Sequence, residues 1–174
     1  MGNTRQTASS IGTSTEMIQG QFNLTKIGDE EVTNGDFSNG ANDWTPNANA
    51  TLTIDNNKLK VTISGASGYP SQFVTTEIGK TYKVTADAFI GTSSRLALYN
   101  NADGQFRNLY ADGSFDFNIT ATSTSTQLRL YVFDDGSYGL WDNVSVKEVR
   151  ATTVEASKCL ADAIHRIGIQ DIQN

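Results

Sequence analysis

The residues that could carry out nucleophilic or acid–base catalysis are few in this 174-residue sequence, and their spacing does not group them. The only histidine, His165, and the only cysteine, Cys159, lie six positions apart near the C-terminus. Residues on one face of a helix are three or four positions apart, so this spacing does not pair the thiol with an imidazole base. A single cysteine also excludes an intrachain disulfide, so stability must come from packing or from assembly.

Two pairs of carboxylates are the remaining candidates for catalysis. Asp134 adjoins Asp135, and Asp112 lies four positions before Asp116. Glycosidases use two carboxyl groups on opposite sides of the scissile bond, whereas adjacent carboxylates on a strand or turn point to different sides. The sequence also has no phosphate-binding glycine loop and no zinc-ligand spacing. It therefore predicts a protein that is not an enzyme and that acts through a surface.

The strands that must carry such a surface are indicated by alternation of apolar and polar residues. From Glu31 to about Val149 the runs are short and are separated by turn residues, which is typical of an antiparallel sandwich or barrel. The predicted inward residues are Leu59, Val61, Ile63, Tyr82, Val84, Ala86, Ala88, Ile90, Leu96, Leu98, Leu128, Leu130 and Val132. The opposite sides carry the aromatic residues Phe89, Tyr99, Tyr131 and Phe133, with Asp87, Arg95 and Arg129 beside them.

Four dipeptides mark the predicted turns between these runs. They are Asn56-Asn57, Asp103-Gly104, Asp112-Gly113 and Asp135-Gly136. Asparagine, aspartate and glycine tolerate the positive φ that tight hairpins require.

The two ends of the chain differ from this pattern. Residues 1 to 30 show neither alternation nor a helical stripe, which predicts an extended N-terminal arm. Residues 151 to 174 predict an amphipathic helix and a tail. The helix would run from about Thr153 to Ile167, with a capping box formed by Thr152 and Glu155 and a stop at Gly168. We expect both ends to serve attachment or oligomerisation.

Charge and hydropathy exclude several classes of partner. The net charge of −6 gives no basic footprint for a nucleic-acid backbone. No apolar run is long enough to cross a bilayer, and the start MGNTRQTASS lacks the apolar region of a signal peptide. Gln6 stands where a myristoylation signal needs Ser or Thr. We therefore expect no nucleic acid, no membrane and no signal-directed export.

Three motifs resemble those of jelly-roll carbohydrate-binding modules of the xylan- and glucan-binding superfamily. The opening motif is Asn34-Gly35-Asp36-Phe37-Ser38-Asn39-Gly40 followed by Asp43-Trp44, the central one is Ile78-Gly79-Lys80-Thr81-Tyr82, and the closing one is Leu140-Trp141-Asp142-Asn143-Val144-Ser145-Val146. The resemblance covers residues 31 to 150. It implies an all-β, antiparallel jelly-roll β-sandwich between the arm and the helix.

The same resemblance implies two kinds of site. Members of the family often hold a structural calcium ion where the opening and closing strands meet, and the matching positions here are Asp36 and Asp142, although Ser38 stands where many relatives have Glu. Sugar binding in the family uses aromatic faces bordered by polar groups. The residues implied here are Phe89, Tyr99, Tyr131, Phe133, Asp87, Arg95 and Arg129, rimmed by Tyr69, Gln72 and Tyr138. The alternative is that the arm, the helix or another subunit covers the aromatic face.

The whole chain, rich in Thr and Asn, also resembles structural proteins of tailed bacteriophages. This implies a non-enzymatic virion surface protein, of the capsid-decoration or short-fibre type, that is assembled in the host cytoplasm. Its expected partners are other virion proteins (major capsid or tail proteins), further copies of itself, and a polysaccharide. The alternative function is a free-standing carbohydrate-binding module that binds a polysaccharide through an aromatic sheet face.

Overall fold

The structure is a computed structural model that describes residues 21–155, with side chains described for residues 27–150. These residues form twelve β-strands and, within this range, no helix, so none of them forms a helix long and apolar enough to cross a membrane. The strands are β1 (Gln21–Glu30), β2 (Thr45–Pro46), β3 (Ala50–Asp55), β4 (Lys58–Ile63), β5 (Ser67–Gly68), β6 (Pro70–Thr75), β7 (Thr81–Phe89), β8 (Leu96–Asn100), β9 (Phe106–Leu109), β10 (Gly113–Thr120), β11 (Ser125–Phe133) and β12 (Tyr138–Glu155).

The strands form two antiparallel sheets of six strands each. Sheet I has the order β10-β7-β12-β4-β3, with β1 also paired to β12. Sheet II has the order β2-β6-β11-β8-β9, with β5 also paired to β11. Few sequence neighbours are paired, so the chain crosses repeatedly from one sheet to the other. This confirms the predicted all-β jelly-roll sandwich, and Ile27–Arg150 forms one compact unit.

The core lies between the two sheets, and the predicted inward residues line it. Leu59, Val61 and Ile63 of β4 are at most 2% exposed, while the alternate residues of the same strand are half-buried. Leu128, Leu130 and Val132 of β11, on the other sheet, are fully buried as well. Such inward faces interdigitate in aligned sandwiches. The same alternation that fills the core therefore turns every second side chain of each strand outward.

Two of the four predicted turns close hairpins. Asn56 and Asn57 have φ of 50° and 60°, as a two-residue type I′ turn requires, and they join β3 to β4. Gly104, with φ of 68°, lies between the paired strands β8 and β9. The other two turns, at Asp112-Gly113 and Asp135-Gly136, connect a strand of sheet II to a strand of sheet I.

The opening and closing motifs meet at one edge of the sandwich. The Val144 amide donates to the Gly35 carbonyl at 2.9 Å. The backbones approach so closely that a Cβ on Gly35 would lie 1.9 Å from the Val144 carbonyl oxygen. The Glu30 carboxylate adds to this junction, because it accepts hydrogen bonds from the Val146 amide at 2.8 Å and the Ser145 hydroxyl at 2.6 Å.

At both ends of the described range, the structure differs from what the sequence predicts. β1 already begins at Gln21, inside the predicted arm, and β12 continues through Thr152 to Glu155, where a helix N-terminus was predicted. The run Ala151-Thr152-Thr153-Val154 is rich in β-branched residues, whose preference for extended backbone outweighs a local capping signal. Residues 1–20 of the arm and residues 156–174, with most of the predicted helix, lie outside the described residues.

Candidate functional site

A cluster of five aromatic rings covers the outer face of sheet II. Tyr131 is at its centre, because the inward positions of β11 leave Tyr131 and Phe133 outside. The centroid of the Tyr131 ring lies 4.5 Å from that of Tyr69, 5.0 Å from Phe106, 5.9 Å from Phe133 and 6.5 Å from Tyr99. These separations fall within the range of favourable aromatic pairs. We call this set the aromatic face.

The floor of the aromatic face is a small residue. Ala97 of β8 is paired in register with Tyr131 and, although it points outward, it is fully buried. Only a small side chain leaves room for rings from three strands to close over it. Tyr99 and Phe106, on the neighbouring strands β8 and β9, are paired in register and their rings are 4.8 Å apart. The rings therefore form one continuous platform.

Two arginines lie over these rings. The Arg95 guanidinium is 3.9 Å from the Phe133 centroid, and that of Arg129 is 4.9 Å from Tyr69 and 5.2 Å from Tyr99. The Arg129 group is fixed further by Gln127, whose side-chain oxygen accepts from Nε at 3.0 Å and from Nη2 at 2.7 Å. The face thus combines apolar ring surface with oriented hydrogen-bond donors.

A groove continues the aromatic face across β6 towards β2. Its volume is about 470 Å³, and its walls include Asp43, Thr45, Ser71, Phe73 and Gln127. Phe73 is 64% exposed, which is unusual for a side chain of that size. The Gln127 amide, which also holds Arg129, donates to the Ser71 hydroxyl at 3.4 Å. Polar groups of this groove therefore adjoin the rings.

Three of the predicted binding residues lie on the opposite side of the sandwich. Phe89 and Asp87 of β7 and Tyr138 of β12 belong to the outer face of sheet I. Phe89 is covered by the Lys58 ammonium at 5.0 Å, and the Tyr138 ring by the Lys60 ammonium at 4.1 Å. Alternation shows that a residue points away from the core, but a sandwich has two outer faces and alternation does not distinguish them.

Asp87 and Gln72 are held by hydrogen bonds within the protein. The Asp87 carboxylate accepts from the Ser114 hydroxyl at 2.6 Å and from the Asn143 amide at 2.8 Å. Gln72 points inward and is 8% exposed, with its oxygen accepting from the Thr33 amide and its nitrogen donating to the Thr33 and Asp43 carbonyls. The structure therefore places Gln72 beneath the groove as a structural residue rather than on the rim of the aromatic face.

Phe106 and Gln127 belong to the site but were missed by sequence analysis. β9 is only four residues long, which is too short to display alternation clearly. The available signal was the turn at Asp103-Gly104, since a hairpin there sets Phe106 opposite Tyr99. Gln127 is the outward residue two positions before Arg129 on β11. A strand prediction alone gave no reason to choose it as a binding residue over other outward polar residues.

The two residues expected to hold calcium, Asp36 and Asp142, each accept hydrogen bonds from neighbouring residues. Asp36 Oδ1 accepts from the Ser38 amide and hydroxyl at 3.2 and 2.9 Å, and these bonds lower the pKa of Asp36. Asp142 Oδ1 accepts from the Asn143 amide at 2.8 Å. The described residues include no cluster of three or more Asp, Glu, His or Cys side chains suited to a metal. The 370 Å³ cavity between the motifs is lined by Glu30, Asp36 and Lys147 but not by Asp142, and the Lys147 ammonium lies 3.6 Å from the Glu30 carboxylate.

The carboxylates considered for catalysis each accept a hydrogen bond or form an ion pair within the protein. Asp112 accepts from the Ile90 amide at 2.8 Å, Asp135 from the Gly65 amide at 2.6 Å, and Asp116 pairs with Lys83 at 3.0 Å. Asp134 accepts from the Ser94 amide at 2.5 Å, and hydrogen bonds from Ser94 lower its pKa. Carboxylates that are engaged in turns and ion pairs are not placed to act as a general acid.

No protein-family model and no curated protein matches this sequence. Solved structures do share its fold. A family 4 carbohydrate-binding module superposes with a TM-score of 0.54 and 18% identity, covering 67% of this chain and 99% of that one. A family 61 module solved with β-1,4-galactotriose has a TM-score of 0.50 and 15% identity over 68% of this chain and 97% of that one.

A third similar structure is the enzymatically active domain of tailspike protein 4 of bacteriophage CBA120. Its TM-score is 0.52 at 12% identity, over 68% of this chain but only 21% of the tailspike chain. The protein therefore has the jelly-roll fold of carbohydrate-binding modules. At these identities the similarity defines the fold and leaves the ligand to be argued from the site.

Proposed function

We propose that this protein is a non-catalytic module that binds a polysaccharide on the outer face of sheet II. The observation that carries the proposal is the continuous platform of rings around Tyr131. Ring faces offer apolar contact to the C–H surface of a sugar, while Arg129 and Gln127 offer oriented groups for its hydroxyls. A binding site with few, well-placed polar groups on an apolar base is the usual arrangement for small-ligand recognition.

Two further observations support the proposal. The similar solved structures include a module with a bound galactotriose, so the fold can serve this purpose. The aromatic face is also dispensable for the core, since Leu128, Leu130 and Val132 already fill the inner side of β11. Half-buried rings on the outer side therefore call for a reason other than folding.

The experiment that tests the proposal compares two aromatic residues of opposite faces. Tyr131→Ala removes the central ring of the platform, and we expect a loss of affinity for the polysaccharide of about fivefold or more, since aromatic contacts are worth about 1 kcal/mol or more. Phe89→Ala removes an outward ring of sheet I and should leave the affinity unchanged. Affinity gel electrophoresis over a polysaccharide panel measures both, with circular dichroism to verify the fold. Equal affinities for Tyr131→Ala and wild type would refute the proposal, as would absence of binding across the panel.

For the biological setting we propose a bacteriophage virion surface protein. The observation that favours it is the fold shared with part of a phage tailspike protein. Its partners would be other virion proteins and further copies of this chain, and its location the virion. The competing proposal is a free-standing carbohydrate-binding module. Light scattering of the purified chain separates them, because a trimer or larger assembly supports the virion role and a monomer that responds only to a glycan supports the free-standing module.

A further inference from the structure

The strands of sheet II differ in charge from the rest of the molecule. The sequence contains 19 acidic residues and has a net charge of −6. None of these acidic residues lies in β2, β5, β6, β8, β9 or β11, the six strands of sheet II. The strands of sheet I, by contrast, carry acidic residues that include Glu30, Asp55, Asp87, Asp116 and Asp142. The strands that carry the aromatic face are therefore free of acidic residues, and the nearest acidic residues, Asp43, Asp103 and Asp134, lie in the connections between strands.

Two cations of this face have no carboxylate partner among residues 27–150. The ion pairs of that part of the chain involve the cations Lys80, Lys83, Arg107, Lys147 and Arg150. Arg95 and Arg129 form no such pair, and both stack on the aromatic face. The acidic residue that acts on Arg95 is Asp134, which lies beyond ion-pair distance and is held by Ser94.

Lys58 and Lys60 are also without an ion pair in the described part of the chain, but their surroundings differ. They lie on sheet I, where Asp55 is the cross-strand neighbour of Lys58 and further carboxylates occupy the same sheet. Because sheet I carries both positive and negative side chains, its surface should not favour a ligand of either charge. On the outer face of sheet II, Arg129 forms no ion pair with a described residue, and the acidic residue near Arg95 is Asp134.

The guanidinium geometry suits an anionic group. A guanidinium has five N–H donors in a planar fork that matches a carboxylate, and stacking on rings leaves the edge of the fork free to donate. In Arg129 the bonds to Gln127 use Nε and Nη2, and Nη1 forms no hydrogen bond to described residues. Stacking and the bonds to Gln127 fix the fork before a ligand arrives, so little entropy is lost on binding.

The guanidinium groups of Arg95 and Arg129 are far enough apart to contact different parts of an extended ligand. Leu96 is paired with Val132, so the preceding Arg95 lies beside Phe133, four residues along β11 from Arg129. Four residues of a strand span about 13 Å. The ring of Tyr131 lies between the two cations, and that of Phe133 packs against Arg95. A chain of sugars crossing the rings would therefore meet one guanidinium at each end of the platform.

Resting on the proposed function, we infer that the ligand is an acidic polysaccharide, whose carboxylate groups are bound by Arg95 and Arg129 while its rings stack on the aromatic face. The protein as a whole is negatively charged and would repel a polyanion. The strands of sheet II have no acidic residue, so attraction to an anionic ligand is expected on this sheet and not over the whole surface. Arg95 and Arg129 are the specificity-determining residues of this interaction, and Gln127 is a positioning residue for Arg129.

The test uses matched pairs of polysaccharides on the full-length chain. Polygalacturonate, polyglucuronate and alginate are each compared with the same polymer after reduction of its carboxyl groups to alcohols. We expect the acidic form of at least one pair to bind at least tenfold more tightly than its reduced form. Arg129→Gln and Arg95→Gln should each remove most of that preference, because the acidic form should lose more affinity than the reduced form.

Two control variants keep this experiment interpretable. Lys83→Gln changes the net charge equally on sheet I and should leave the preference intact, whereas Arg129→Lys keeps the charge, loses the fork and should give an intermediate preference. If a reduced polymer binds as tightly as its acidic form and Tyr131→Ala weakens both, the face binds glycans but the inference of charge selection is wrong. If no polymer of either form binds, the proposed function fails as well.

Discussion

Replacing Gly35 by alanine would place a methyl group where the opening and closing motifs leave no space. The added Cβ would lie 1.9 Å from the Val144 carbonyl oxygen and 3.1 Å from a methyl carbon of Val32. The opening segment would have to move away by about 1.5 Å or more to reach an ordinary contact distance. That movement strains or breaks the bond from the Val144 amide to the Gly35 carbonyl, worth about 1 kcal/mol, and overpacking adds about 1–3 kcal/mol. We expect a total loss of about 3 kcal/mol.

The matched control is Gly40→Ala in the same motif. Gly40 has φ of +69° and nothing within 4 Å of the position that an added methyl group would occupy, so alanine there bears only the cost of left-handed backbone, about 1–2 kcal/mol. Urea unfolding followed by tryptophan fluorescence suits the measurement, because Trp44 and Trp141 are both buried. A small domain retains several kcal/mol of stability, so both variants should fold. If Gly35→Ala lost no more free energy of unfolding than Gly40→Ala, the close contact of the two motifs would be refuted.

Two further predictions concern ions and pH. The melting temperature should be the same in excess calcium and in excess chelator, because the Asp36 and Asp142 carboxylates are engaged elsewhere; a rise of several degrees with calcium in differential scanning fluorimetry would show that an ion binds. The pKa of Asp134 is lowered by Ser94, so its contribution to stability should be complete above the unfolded value near pH 4 and should be lost as the pH falls through the folded pKa. Unfolding titrations between about pH 2 and about pH 6 should therefore show a smaller acid-induced loss for Asp134→Asn than for wild type, and equal losses would contradict this assignment.

Local pattern was sufficient to predict the strands and the inward residues, because alternation and turn chemistry act over a few residues. In KLKVTI the period of two separates Leu59, Val61 and Ile63 from the lysines, and the structure confirms this division. The hairpin at Asn56-Asn57 was predictable for the same reason. The resemblance of the three motifs then supplied what local pattern lacks, the jelly-roll order of the strands.

The composition of the site was harder to predict, since it depends on partners distant in sequence. Phe89 and Phe133 have the same local environment, an aromatic residue opposite a run of inward aliphatics, yet β7 and β11 belong to different sheets. Gln72 occupies an inward position because it finds partners in Thr33 and Asp43, 39 and 29 residues away. Nothing within β6 announces either partner. A polar residue at an inward position is buried only when it forms such hydrogen bonds. Its partners are distant in sequence, so the bonds can be recognised only once the fold is known.

One feature of the site was nevertheless present in the sequence, the absence of acidic residues from certain strands. It can be recognised only once the assignment of the strands to the two sheets is known. Six strands without an acidic residue, in a chain with 19 of them, leave Arg129 without an ion pair among the described residues, and the acidic residue near Arg95 is Asp134. Folding alone does not require this, because outward positions of an antiparallel sheet accept either charge, and sheet I carries both. The difference in charge between the strands of the two sheets, together with the rings of sheet II, supports the proposal that the sandwich presents the outer face of sheet II to a ligand.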